Sequence, residues 1–170
     1  MQIPKTEYAS FYASYVEMAL NKTLSSDFES QMTSCIDFYN SITLELLDYR
    51  YEPFKWSIKD IILHLIDSER IFAYRALRIS RNDKTKLPGF EENDYVTYAN
   101  ASSRSLEDII NEYRSVRNAT ISLFNSFSDG QLKRIGNASD KEVSVRAIGY
   151  IILGHELHHI KIIKERYLNF

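Results

Sequence analysis

Phe28, Met32, Cys35, Tyr39, Ile42 and Leu46 step by four and three residues, the spacing of one buried stripe on a helix. The pattern recurs in three further segments of about twenty residues, and no segment of comparable length alternates like a strand. The first runs from about Asp27 to Asp48, with Ser26 and Glu29 set as a capping box. The second runs from about Ile58 to Ser80 behind Ser57 and Asp60. The third, from about Leu106 to Phe127, carries Leu106, Ile109, Tyr113, Val116, Thr120 and Leu123 on one face and opens with Ser105 and Asp108. The fourth runs from about Val145 to Tyr167. Four such helices bury their stripes best against one another, so the expected fold is an all-α four-helix bundle.

The connections refine this expectation. Tyr49 to Ser57 is short and predicts that the first two helices are antiparallel neighbours. Arg81 to Arg104 is long, with Leu87-Pro88-Gly89-Phe90 in its middle. A link of that length crosses the bundle or covers a site, and it allows helix three to run parallel to helix two. Asp129 to Ser144 is the third connection. The aromatic segment Thr6 to Leu20 predicts an additional short helix on the outside. With 170 residues and no repeat or composition break, residues 1–170 read as a single domain.

Several function classes lose support at once. A net charge of −2 gives no electrostatic footprint for nucleic acid. No apolar run approaches the ~20 residues of a membrane span, and the start of the chain lacks a signal-peptide pattern. The expectation is a cytoplasmic protein. The single Cys35 lies on the apolar stripe and reads as a buried small hydrophobe.

Three of the four histidines fall in Gly154-His155-Glu156-Leu157-His158-His159. At about 100° per residue, His155 and His159 lie within the arc of Ile148, Ile151, Ile152, Ile162 and Ile163. His158 lies toward its edge, as ligand in place of His159 or as a surface residue. Burying an imidazole is costly unless both ring nitrogens find partners. A hydrogen-bonded core histidine explains one such residue; two, one turn apart on an isoleucine face, favour metal ligation. His64, at the border of the stripe Ile58, Ile61, Leu65 and Phe72, is a candidate third ligand, and three ligands plus an open position suit a catalytic ion. Asp67 and Ser68, one turn past His64, and Arg75, three turns past, are candidates for supporting or substrate contacts. Surface salt bridges explain them equally well. His155 to His159 also matches H-E-x-x-H, the metalloprotease signature. Only eleven residues follow, with no further histidine and no sheet to bind a peptide, so the match reads as a coincidence of spacing.

Tyr51-Glu-Pro-Phe-Lys-Trp56-Ser57-Ile-Lys-Asp60, His64 to Arg78, Leu87-Pro-Gly-Phe90 and Gly154 to His159 together resemble the DinB-like, YfiT-like superfamily of small bacterial four-helix proteins. The resemblance covers the chain from about Ser26. It departs at Phe54, where the pattern has glycine. It implies an up-down-down-up bundle and frequent homodimers. It also implies a divalent metal such as nickel or zinc on His64, His155 and His159. The activities it implies are metal-dependent hydrolysis of small molecules, or transfer of a low-molecular-weight thiol (bacillithiol, mycothiol or glutathione) to an electrophile. A non-catalytic metal-binding or interaction module is the rival class.

Overall fold

The computed structural model describes residues 3–168. Four long helices form its body: α2 (Leu24–Asn40), α4 (Ile58–Ser80), α6 (Leu106–Asn125) and α8 (Val145–Ile162). Shorter helices are α1 (Ala13–Met18), α3 (Leu44–Leu47), α5 (Glu92–Ala99) and α7 (Asp129–Leu132). A hairpin of β1 (Ile135–Ala138) and β2 (Lys141–Ser144) precedes α8.

The buried clusters fix the direction of each helix. One cluster joins the early part of α4 (Ile58 to Ile66) to the early part of α6 (Ile109 to Tyr113). It also holds the late part of α2 (Cys35 to Tyr39) and the chain after α8 (Ile163, Tyr167). The other joins late α4 (Phe72 to Ile79), late α6 (Ile121, Phe124), Phe28 of α2 and early α8. So α4 and α6 run parallel, with α2 and α8 opposed to them, an up-down-down-up bundle. α4 packs on both α6 and α8, while α2 packs mainly on α6. The short link between α2 and α4 therefore does not make them neighbours; they face each other diagonally across the core.

Local chemistry sets the helix ends. Ser57 and Asp60 form the anticipated capping box at α4, with Ser57 N–H donating to Asp60 at 2.8 Å and Asp60 N–H to Ser57 at 3.1 Å. Ser105 and Ser144 cap α6 and α8. The α2 cap differs from expectation: Thr23 occupies it and its N–H donates to Asp27. α2 also ends at Asn40, and Ile42 and Leu47 reach the core from a separate turn. On α6 the buried face runs through Arg117 and Phe124 rather than Val116 and Leu123.

The long crossover travels the length of the bundle and carries α5 and a 3-10 turn against α4. The hairpin turns through Ser139 (φ 53°) and Asp140 (φ 59°), a left-handed pair that matches strand twist. Leu87 of the crossover bonds to it through Asn137 O and Ser139 N–H. Phe54 adopts φ 65° and is fully exposed, so the left-handed turn that the family pattern gives to glycine is kept here by a side chain. α1 is not peripheral. Val16 and Ala19 are buried, and the segment lies directly on α8 at Gly154, where a Cβ would stand 1.8 Å from the Tyr15 carbonyl oxygen.

Candidate metal centre

His64 from α4 and His155 and His159 from α8 converge near the end of the bundle where α4 begins. The Nε2 of His155 is 3.1 Å from the Nε2 of His64 and 3.1 Å from the Nε2 of His159. Ligand atoms of all three lie within 4.8 Å of one another. Nitrogens around one first-row ion at ~2.0–2.1 Å stand roughly 3.3 Å apart in tetrahedral geometry, close to the two short separations. All three rings are buried. Burial holds their pKa values down, His64 to about 4 and His159 to about 3, with the neighbouring imidazoles adding to the effect at His155 and His159. At neutral pH the rings are uncharged and their lone pairs are free to bind.

The proton count shows why a cation fits. Each Nε2 offers either one N–H or one in-plane lone pair. The Nε2 of His155 can thus complete a hydrogen bond with one neighbour, not both. Among the described residues the Nδ1 of His159 is buried without a hydrogen-bond partner, and the Nδ1 of His64 has Ser68 Oγ at 3.5 Å, the outer limit of such a bond. Three neutral donors converging without enough protons to share form a set suited to one divalent ion.

Above the histidines opens a cavity of about 490 Å³. Tyr12 and Tyr15 come from the N-terminal segment, Trp56 from the turn before α4, Phe72 and Arg75 from α4, and Phe90 from the crossover. Ser139 and Lys141 come from the hairpin. Tyr15 lies 5.2 Å from the His155 ring and 5.3 Å from the His158 ring. Trp56 lies 4.7 Å from His64, its carbonyl held by the Tyr167 hydroxyl at 2.6 Å.

Of the supporting candidates, Ser68 and Arg75 line this cavity and Asp67 does not. Asp67 turns to Arg70 at 3.4 Å, toward α6, and burial raises its pKa. His158 sits half-buried on the cavity wall. Cys35 is sealed in the core, its thiol pKa pushed up by burial. Glu156, which a protease would need as its base, faces away from the cavity. It accepts from Gln31 at 2.7 Å and Arg117 at 3.1 Å, and Arg117 in turn grips Glu69 at 2.9 Å. Sequence reasoning missed this buried network. Its one signal was Arg117, spaced by four and three between Tyr113 and Thr120.

A family model described as the DinB superfamily matches residues 34–163, more than half of the chain. This protein belongs to the DinB superfamily. Its structure is similar to that of YfiT from Bacillus subtilis, with a TM-score of 0.73 at 13% identity over 99% of this chain and 93% of the other. YfiT is described as "a probable metal-dependent hydrolase with an unusual four-helix bundle topology". At that identity the likeness carries the bundle fold. No curated protein matches this DinB-superfamily chain in sequence. All three histidines, Ser68 and Arg75 fall within the matched region; Tyr12 and Tyr15 lie outside it. No described helix is long and apolar enough to cross a membrane.

Proposed function

We propose that this protein is a metal-dependent enzyme in which His64, His155 and His159 hold one divalent ion, nickel or zinc. The small-molecule substrate enters the cavity above them. An ion bound there supplies Lewis acidity and lowers the pKa of a water or thiol that it ligates, giving a nucleophile at neutral pH. The observation that supports this reading is the convergence of three neutral imidazoles beneath an open, largely aromatic cavity. A structural zinc site normally closes with four protein ligands, and the metal-competent group among the described residues has three. That favours catalysis over a non-catalytic binding module.

The chain's own residues then divide the work. Ser68 orients His64 through its Nδ1. Tyr15, Trp56 and Phe72 wall off the histidines and restrict water around the reacting atoms. With Cys35 inaccessible, any sulfur nucleophile comes from outside the chain. The two reaction classes under this reading are hydrolysis and transfer of a low-molecular-weight thiol.

Elemental analysis of tag-free protein tests the reading, with wild type beside a His64→Ala, His155→Ala double variant. About one equivalent of metal in the wild type, absent from the variant, is expected. Wild-type protein that stays metal-free after reconstitution with nickel and zinc would overturn it. Hydrolysis and thiol-transfer assays on the loaded protein then separate the two reactions.

A further inference from the structure

Arg75 is 3% exposed, yet among the described residues no carboxylate lies within ion-pairing distance of it. The other deeply buried arginine, Arg117, is clasped by two carboxylates. Arg75 has only neutral partners. One terminal nitrogen donates to Pro88 O at 2.7 Å and to Ser139 Oγ at 3.0 Å, and the guanidinium lies 5.7 Å from the Phe72 ring centroid. The Tyr12 hydroxyl is a further neutral partner. A guanidinium carries five N–H donors, so donors are still left over after these three contacts. A cation taken out of water without a counter-charge is costly, which makes the arrangement informative.

The position of Arg75 gives it a purpose. It lies three turns after His64 on the same helix, and helical side chains lean toward the N-terminus, which carries its guanidinium back toward the histidines. It lines the same cavity, separated from His155 by the Phe72 ring, which is 6.4 Å from that imidazole. Lys141 adds a second cationic side chain to the lining. The lining's carboxylate among the described residues, Glu92, forms no ion pair with Arg75.

We propose that Arg75 is the anion-binding residue of this cavity, and that the substrate is a small molecule with an oxyanion head on an apolar body. The head, a carboxylate or a phosphate, takes the remaining Arg75 donors as a planar, charge-assisted pair. The body lies among Tyr12, Tyr15 and Phe72, and its far end reaches the histidines. This substrate class rests on the metal-dependent reading for the reaction, while the anion site itself does not.

Calorimetric titration of phenylacetate, phenyl phosphate and the uncharged phenylacetamide into metal-stripped wild type, and into His155→Ala, tests the inference. At least one anion is expected to bind about tenfold or more tightly than the amide, and the better of the two identifies the head group. Arg75→Gln is expected to abolish that preference, weakening the anions far more than the amide. Equal or absent binding of both anions to the wild type would overturn the proposal, as would a preference that survives Arg75→Gln. Because Arg75 also ties Pro88 to Ser139, Arg75→Lys serves if the glutamine variant does not fold; it keeps the charge and loses the fork, so the preference is expected to fall without vanishing. Metal content separates the two readings. Anion preference without metal uptake defeats only the metal centre; metal uptake without anion preference defeats only this inference.

Discussion

Replacing Arg117 by methionine removes the cation that two buried carboxylates, Glu69 and Glu156, share. Arg117 is 1% exposed, and it donates to Glu69 at 2.9, 3.1 and 2.9 Å and to Glu156 at 3.1 Å. Its guanidinium also lies against the rings of Phe28 and Tyr113. Methionine retains most of the apolar contact, so the lost charge dominates. Two like charges then lie side by side in the core without a counter-charge, and breaking a buried ion pair from one side in this way costs ~3–5 kcal/mol. For a chain of this length each kcal/mol lowers Tm by roughly 2–4 °C, which predicts a drop of about 6–20 °C. Urea unfolding of both proteins at pH 7, followed by far-ultraviolet circular dichroism, measures this directly. A variant within about 1 kcal/mol of wild type would refute the reasoning.

Metal-free wild type should lose stability as pH falls from about 6.5 toward 4. His64 is held near pKa 4 in the fold, so the unfolded chain binds protons first; this residue alone accounts for about 3 kcal/mol, and a flat urea midpoint across that range would contradict it. Phe54→Gly should raise stability by about 1 kcal/mol, because an exposed side chain is removed from a left-handed backbone; a lower Tm would show the turn to be unstrained. Gly154→Ala should loosen α1 from α8 at a cost of about 1–3 kcal/mol. Faster amide exchange across residues 13–18 is the expected signature, and unchanged protection there would count against the close contact. Trp56 is the single tryptophan and lies beside His64, so one equivalent of nickel should quench its fluorescence in wild type and leave it bright in His64→Ala; equal traces would separate the tryptophan from the ion.

The bundle was legible because its stripes obey one period and because the Arg81–Arg104 link is too long for a simple turn. α4 was read to the residue, since Ser57 and Asp60 form a real capping box and the apolar period continues to Ser80. The candidate triad was legible for a related reason: His155 and His159 interrupt isoleucines where only a satisfied imidazole is tolerable. Three things escaped. The hairpin did, because its left-handed turn is made by Ser139 and Asp140 without the Asn-Gly or Asp-Gly pair that signals such turns. Arg117 did, because a stripe traced through apolar residues prefers Val116 beside it; charge can occupy a core position when two carboxylates arrive from other helices, which sequence spacing does not reveal. The roof of the cavity did too, since α1 reaches α8 by backbone contact at Gly154, a pairing of distant segments with no local signature.

That contact at Gly154 has a consequence for how specificity is inherited. The region shared with the DinB superfamily, residues 34–163, supplies the histidines and Arg75, whereas Tyr12 and Tyr15 arrive on a segment that precedes it. Donors and roof therefore belong to separable parts of the chain. A family member could keep the first and exchange the second, holding the same three histidines beneath a differently shaped cavity. Trimming this protein to its family-matched core would remove Tyr12 and Tyr15 from the wall, but it would also take Phe28 and Gln31 out of α2, so the roof can be exchanged but not simply deleted.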